Sequence, residues 1–273
     1  MTTAAQDVLT LKDIHKVFFP GTVDEVQALT GIDLAVADRE FVTVIGSNGA
    51  GKSTLLNIVA GVFPPERGGK VEIQGHDVTR LEEYKHAKFV SRVWQEPEVG
   101  TSRNLTIEEN LSLAYQRGQP RTLKKASNKK RRQIFQEALA QIGLGLENRL
   151  TAQVGTLSGG QRQALSLVMA TISKPSILLL DEHIATLDPR TAQTVMDLTE
   201  MIVERDKMST LMVTHNMEMA LRYGTRLIMM HKGKVILDLG HAQKQGLTIK
   251  DLVSAFERAA GEEFADDKVL LCT

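Results

Sequence analysis

Short apolar runs separated by turn residues dominate the first part of the chain. The runs 8–19, 29–36 and 41–45 are rich in β-branched residues and predict strands. At 53–60 the apolar spacing becomes helical, and the pattern stops at Gly61. The sequence therefore predicts strands that lead through a glycine-rich segment into a helix.

The middle of the chain changes character between about residues 95 and 156. Helical segments such as 107–117 and 129–142 replace strong strand patterns there, which favours an inserted helical lobe. The apolar runs 177–180 and 210–213 that follow are typical of buried parallel strands.

The last recognisable pattern is a closing hairpin. It comprises 227–230 and 235–237, joined through Gly233. Residues beyond Gly240 carry little signal.

Composition limits the classes of protein that fit these elements. The 273 residues are 42% hydrophobic and 24% charged, and 33 basic residues balance 33 acidic ones. Such a chain can bury a core, which excludes general disorder. Zero formal charge provides no overall field to attract nucleic acid or anionic lipid.

Targeting and redox signals are weak. Cys272 is the single cysteine, so an intramolecular disulfide is excluded, as suits a reducing cytoplasm. Residues 1–10 lack the apolar run of a signal peptide, and no run approaches the roughly 20 residues that span a bilayer. We expect the chain to stay in the compartment where it is made.

A glycine-rich segment fills the phosphate-binding-loop pattern completely and lies between a predicted strand and a predicted helix. Its residues are Gly46, Ser47, Asn48, Gly49, Ala50, Gly51, Lys52, Ser53 and Thr54. In such a loop, backbone N–H groups converge on phosphates at a helix N-terminus, where the helix dipole favours an anion. Lys52 then reaches the β and γ phosphates, and Ser53 ligates magnesium. We predict that ATP and Mg²⁺ bind here and that ATP is hydrolysed.

Two adjacent acids, Asp181 and Glu182, end the apolar run 177–180. Ionised carboxylates at the end of a buried strand are costly unless a cation or partner lies near, and magnesium is such a cation. Asp181 is the candidate metal ligand, and Glu182 is the candidate general base for the attacking water. An acidic pair that only caps a strand is the structural alternative.

The segment 157–163 opens another helix with a serine and two glycines. It is a candidate for a second anion site, because helix N-termini bind anions. An ordinary helix start with Ser158 as N-cap explains the same residues.

Together these motifs resemble the ATP-binding subunit of ABC transporters over about residues 8–240. Four elements come in the family's order: the loop 46–54, Gln95 after a strand, the signature 157–161, and the acidic pair 181–182 followed by Asp188 and His215. The resemblance implies an α/β fold, a P-loop NTPase core with a parallel sheet, an N-terminal antiparallel β subdomain and an inserted α-helical subdomain. It implies one ABC ATPase domain over 1–240, with the helical subdomain at about 96–156, and a C-terminal tail over 241–273.

The resemblance also implies roles for single residues. Ser158, Gly159, Gly160 and Gln161 would contact ATP held by the phosphate loop of a second copy, so that two chains sandwich two nucleotides. Gln95 would sense magnesium and the attacking water, His215 would contact the γ-phosphate, and Asp188 would lie at the nucleotide. Phe18 is similar to the aromatic residue that stacks on adenine. Phe19 is the competing candidate, and a core position for Phe18 is the structural alternative.

The resemblance implies partners as well. They are a second copy of the chain, transmembrane permease subunits and an extracytoplasmic receptor for the solute, and no nucleic acid. The chain would lie at the cytoplasmic face of the inner membrane, held there through the permease.

Some residues depart from the family pattern. His183 stands where proline is usual, and Ile184-Ala185-Thr186 replaces a Ser-Ala or similar pair. His183 could add a pH-sensitive contact beside Glu182 or only pack. The stretch 117–132 holds eight basic residues and no acid, and is either a solvated face or a surface near anionic lipid or a transmembrane partner.

The leading hypothesis is the motor of an importer for a small organic solute such as an amino acid. The resemblance at 19–22 and 181–183 suggests it. An exporter or lipoprotein-extrusion motor would share the same residues. A soluble ABC ATPase acting on DNA, chromosomes or ribosomes usually needs a long coiled-coil insertion, zinc-binding cysteines or two cassettes, which this sequence lacks.

Overall fold

The computed structural model describes residues 7–119 and 128–260. The described residues form two compact units. The first comprises 7–86 and 208–260, and the second comprises 87–119 and 128–207. The predicted helical insertion at about 96–156 falls within the second unit.

Ten strands, ten α-helices and two short 3₁₀ helices, Leu146–Asn148 and Val154–Thr156, are found in these ranges. The strands are β1 (Asp7–Phe18), β2 (Val26–Ala37), β3 (Phe41–Gly46), β4 (Lys70–Ile73), β5 (His76–Asp77), β6 (Val90–Val93), β7 (Ile177–Asp181), β8 (Ser209–Val213), β9 (Arg226–His231) and β10 (Lys234–Leu239). The helices are α1 (Lys52–Ala60), α2 (Glu83–His86), α3 (Pro97–Gly100), α4 (Ile107–Tyr115), α5 (Lys129–Ala140), α6 (Gly159–Thr171), α7 (Pro189–Asp206), α8 (Met217–Arg222), α9 (His241–Lys244) and α10 (Ile249–Ala260).

The first unit contains an antiparallel sheet in the order β2-β1-β4-β5 and a mixed set of strands in the order β10-β9-β3-β8. Strand β3 is parallel to both β8 and β9. All six residues of β3 are buried, as expected of a central parallel strand. The predicted closing hairpin is the antiparallel pair β9–β10. The predicted α/β class with an N-terminal antiparallel sheet is confirmed.

The second unit is mainly helical and carries the parallel pair β6–β7. Helix α6 is buried along most of its length, from Arg162 to Thr171. Helix α4 begins at a capping box in which Thr106 and Glu109 exchange side-chain and backbone hydrogen bonds. Helix α5 begins at Asn128, whose side chain accepts from the N–H of Arg131.

Sequence-based boundaries agree closely where periodicity is strong. The runs 8–19, 29–36 and 41–45 correspond to β1, β2 and β3, and the helix expected at 53–60 begins one residue earlier. The helices expected at 107–117 and 129–142 each end two residues earlier.

One sequence-based expectation differs from the structure, and two fall on residues that the structure does not describe. No element is predicted beyond Gly240, yet α9 and α10 are present there, and α10 buries Leu252 and Phe256 against β9 and α8. Of the basic stretch, 120–127 lies outside the described residues, and so does Cys272. Within 7–119 and 128–260 no helix combines the length and apolar character needed to cross a membrane.

Candidate nucleotide-binding and catalytic site

The phosphate loop follows β3, and at two positions its backbone lies so close to other backbone that only glycine fits. Gly46 has a φ of +152°, and a Cβ there would lie 2.2 Å from the carbonyl oxygen of Met230. At Gly51, the N-cap of α1, φ is +97° and a Cβ would lie 2.5 Å from the carbonyl oxygen of Ala28. A side chain at either position would displace backbone. The glycines therefore keep N–H groups at the start of α1 close to any phosphate.

Lys52 is held across this loop. Its side chain is buried, and Nζ donates to the carbonyl oxygens of Gly46 at 2.7 Å and Ser47 at 2.9 Å. The first turn of α1 holds no acidic residue to cancel the helix dipole. Ser53 is exposed at the next position. A loop with a fixed ammonium and a helix N-terminus fits a polyphosphate.

His215 lies at the same edge of the strand set. Parallel strands β3 and β8 are neighbours, and the N–H of Thr214 donates to the carbonyl oxygen of Val44 at 3.1 Å. His215 follows directly and is exposed. The first unit thus brings His215 and the phosphate loop to the same carboxyl ends of adjacent strands.

Phe18 ends β1 and is partly buried. Its ring meets the Phe63 ring edge-to-face at 5.4 Å, and Lys16 Nζ lies 5.7 Å from its centroid. The competing candidate, Phe19, is 65% exposed and has a φ of +53°. Phe18 is the ring that its neighbours hold in place, as a stacking platform requires.

In the second unit, Gln95 follows β6, and Asp181 is the last residue of the adjacent parallel strand β7. Val93 of β6 pairs in register with Leu180 of β7, so both residues lie at one sheet edge. Asp181 Oδ2 forms an ion pair with Arg92 Nη2. Sequence reasoning assigned no role to Arg92. The available signal was a single charge inside the apolar strand β6.

Glu182 has a backbone φ of +44°, which places a non-glycine residue in the left-handed region. Its carbonyl oxygen accepts from the N–H of Ala185 at 2.9 Å, which closes a turn directly after β7. Backbone in this region costs free energy and is found mainly where the surroundings enforce it, often at active sites.

His183 is fully buried beside Glu182. Its Nε2 lies 3.2 Å from Thr199 Oγ1, and that hydroxyl donates to the carbonyl oxygen of Val195 at 2.7 Å. Nε2 is therefore the donor to Thr199. Burial lowers the pKa of His183 to about 4, so the imidazole is neutral near pH 7. This environment favours packing over a pH-sensitive contact.

The signature segment begins α6 with a capping box. Ser158 Oγ accepts from the N–H of Gln161 at 3.3 Å, and Gln161 Oε1 accepts from the N–H of Ser158 at 3.2 Å. The alternative, Ser158 as N-cap, is thus observed. Since Oγ acts there as acceptor, its proton can still donate to an anion, and the capping role does not compete with the second-copy role.

Asp188 is the N-cap of α7. Its Oδ1 accepts from the N–H of Thr191 at 3.1 Å, and hydrogen bonds from Thr191 hold the pKa of the carboxyl below its usual range. Asp188 is ionised near pH 7 and exposed.

The two signature glycines differ in the space around them, and this predicts opposite effects of alanine. A Cβ at Gly160 would lie 2.3 Å from Thr191 Cγ2, whereas a Cβ at Gly159 would make an ordinary 3.6 Å contact with Leu187. We expect Gly160→Ala to lower the free energy of unfolding by about 1–3 kcal/mol through overpacking. Gly159→Ala should be neutral or raise it by up to ~0.5 kcal/mol, because alanine favours helix.

Thermal unfolding of both variants measures this difference. In Gly160→Ala, adding Thr191→Ser removes the clashing methyl group and should restore most of the loss. Equal melting temperatures for the two single variants would contradict the close packing of α6 on α7.

The residues proposed for magnesium are oxygen donors, as that ion prefers: the Ser53 hydroxyl, the Asp181 carboxylate and the Gln95 amide. In the described part of the chain, no group of three or more His, Cys, Asp or Glu could hold a metal by itself. The phosphate loop, His215 and Phe18 lie in the first unit, and Gln95, the acidic pair, the signature and Asp188 lie in the second.

Comparisons with known proteins agree with these motifs. The model of the family described as ABC transporter matches residues 29–185. The tyrosine transport ATP-binding protein of Clostridioides difficile (strain R20291) is 44% identical over 253 residues, which cover 92% of this chain and 100% of that protein. The thiamine import ATP-binding protein of Chelativorans sp. (strain BNC1) is 37% identical, over 76% of this chain and 78% of that protein.

A solved structure shares the fold. It is a dimeric ATP-binding cassette in a post-hydrolysis state with bound ADP and Pi, and it is 28% identical. The match has a TM-score of 0.73 and covers 85% of this chain and 98% of that one.

Proposed function

The chain belongs to the ABC transporter ATP-binding family, and from that premise we propose that it drives import of a small organic solute such as an amino acid. The predicted ATP-binding ATPase of a transporter is confirmed by this membership. The observation that carries the finer proposal is the match to a tyrosine transport ATP-binding protein at 44% identity. The match covers 92% of this chain and all of that protein.

Within one copy, we assign the phosphate loop and Lys52 to the β and γ phosphates and Phe18 to the adenine face. Lys52 supports this role by its burial and its two fixed carbonyl contacts. Ser53, Gln95 and Asp181 would hold magnesium, which when bound neutralises phosphate charge and polarises the γ-phosphoryl group.

Hydrolysis would depend on groups at the ends of β7 and β8. Glu182 is the proposed general base that takes a proton from the attacking water, and Gln95 orients that water. His215 would contact the γ-phosphate. The position of Glu182 directly after the buried strand β7, beside Asp181, supports this role.

We propose that two copies form the working unit. The Ser158 hydroxyl, the α6 N-terminus and Asp188 would face ATP held by the other copy. The capping box supports this, because it rigidly presents the helix N-terminus of α6 while the Ser158 proton stays able to donate. The solved relative with ADP and Pi is itself dimeric.

A permease would dock in a groove of the second unit. The groove has a volume of about 450 Å³ and is lined by Val99, Gly100, Thr101, Ser102, Asn110, Leu113, Ala114, Arg117 and Met169. Val99 and Leu113 are each 62% exposed, so the groove presents two large apolar side chains at the surface. Arg117 is anchored by a hydrogen bond to Ser91 Oγ at 2.6 Å. An apolar helix or loop of the permease suits such a groove, and it would place the chain at the cytoplasmic face of the inner membrane.

Uptake of labelled amino acids, tyrosine first, tests this proposal in cells that lack the gene. Wild-type protein should restore uptake and sediment with membranes. We expect Leu113→Asp to lose both properties by about tenfold or more, because an aspartate in the groove must be desolvated on docking. Its ATPase activity in solution should stay within about twofold of wild type, since the groove holds no group assigned to ATP.

Met201→Asp is the matched control, because Met201 is 39% exposed on α7 of the same unit but lies outside the groove. It should sediment and support uptake like wild type. The opposite result is that restoring the gene causes preloaded cells to lose labelled solute. That result would contradict import and show that the chain drives export. A receptor for the solute outside the membrane is expected for import.

A further inference from the structure

Arg92 is a buried cation in direct contact with the carboxylate assigned to magnesium. It lies on β6, and its side chain is 8% exposed. Nη2 forms an ion pair with Asp181 Oδ2, and the guanidinium carbon lies 3.7 Å from the centroid of the Trp94 ring. Asp181 is itself only 14% exposed.

This pair is held by its surroundings. A charge buried to this degree is costly without a partner, so each member of the pair retains the other. Stacking on Trp94 fixes the plane of the guanidinium and leaves its N–H edge toward the carboxylate. The adjacent strand residues Val93 and Leu180 are paired in register, which fixes the backbone on both sides. The arginine is therefore a permanent part of the carboxylate's environment.

We propose that Arg92 is a positioning residue that weakens the hold of Asp181 on Mg²⁺ and so eases release of magnesium with the product nucleotide. The proposal rests on the proposed function, in which Asp181 holds magnesium. It adds an antagonist of metal binding that belongs to the protein itself.

Two effects of Arg92 act in opposite directions. By engaging Oδ2, it restricts the carboxylate and leaves Oδ1 available for a metal or a metal-bound water, which favours binding. Its positive charge repels a dication bound to the same carboxylate, which opposes binding. Restricting the Asp181 carboxylate only removes the entropy cost of fixing one short side chain when the metal binds. The repulsion acts between the Arg92 charge and the dication at close range and in a mostly buried place. The repulsion therefore dominates.

The test titrates Mg²⁺ against full-length protein with a fluorescent ADP analogue at fixed concentration, and repeats the nucleotide titration in EDTA. We expect Arg92→Met to lower the half-saturating Mg²⁺ concentration by about tenfold or more, as loss of a close positive charge predicts. Nucleotide affinity in EDTA should stay within about twofold, because Arg92 has no assigned contact to the nucleotide. A merely structural role would weaken both titrations together.

Two further variants separate charge from packing. Arg92→Lys loses the stacking on Trp94 but keeps the charge, and it should remain within about threefold of wild type because the charge sets the repulsion. Arg92→Gln removes the charge with less loss of polar contact, and it replaces Arg92→Met if that variant does not fold. Arg132→Met removes an arginine of the same unit that pairs with Glu108 and should change nothing.

The outcomes are distinguishable. If the wild type binds nucleotide without any dependence on Mg²⁺, the magnesium assignment in the proposed function fails. If wild-type binding depends on Mg²⁺ but the neutral variants bind Mg²⁺ equally or more weakly, the inference about Arg92 is overturned and the proposed function stands.

Discussion

Replacing Glu182 with glutamine is expected to reduce ATP turnover by about 10³-fold, within the range of a lost general base. The amide has nearly the same shape as the carboxylate, so the left-handed turn at this position should persist. It cannot take a proton from water at neutral pH. ATP and magnesium should still bind, because the phosphate loop and Asp181 are unchanged. Phosphate release measures turnover, and light scattering with and without ATP and magnesium measures the mass of the bound state.

Glu204→Gln is the matched control, since Glu204 is exposed on α7 in the same unit. It should hydrolyse ATP like wild type. Turnover of Glu182→Gln above about a tenth of wild type would remove Glu182 as the base, because a lost base costs at least ~10²-fold. An inactive variant that binds ATP yet stays monomeric would contradict the assignment of Ser158 and Gly160 across an interface between two copies.

Lys52→Ala is expected to weaken ATP binding by about 30- to 150-fold, equivalent to ~2–3 kcal/mol for a lost hydrogen-bonding contact to a charged phosphate. The ammonium is already fixed by the carbonyl oxygens of Gly46 and Ser47, so little side-chain entropy is lost when phosphate arrives. Isothermal titration with ATP and magnesium measures the change in Kd.

Lys70→Ala provides the comparison for Lys52→Ala. Lys70 is also in the first unit but is paired with Glu72 on the exposed surface. Its loss should leave the Kd for ATP unchanged. Equal affinities for wild type and Lys52→Ala would mean that the loop binds phosphate through backbone alone.

The sequence predicted the phosphate loop and its flanking strand and helix because phosphate binding by backbone N–H groups constrains the residue type at each position of the loop. It could not show why Gly46 must be glycine, since the obstacle is the carbonyl of Met230, far away along the chain. Arg92 was missed for a similar reason. Its partner Asp181 lies 89 residues away, and only the pairing of β6 with β7 brings them together.

Helix α10 was missed for a different reason. The apolar residues Ile249, Leu252, Val253 and Phe256 recur at the spacing of one helix face, so the sequence did carry a signal for this helix. Packing decides its structure, since Leu252 and Phe256 are both fully buried.

The cluster that receives α10 also contains Ile45, the residue directly before Gly46. The Phe256 ring meets the His231 ring edge-to-face at 5.3 Å, and His231 follows the Met230 whose carbonyl crowds Gly46. Helix α10 thus belongs to the packed cluster that supports the end of β3, where the phosphate loop begins. A change of side-chain size in this helix should therefore reach the phosphate loop through the packing of Ile45, without touching any residue assigned to ATP.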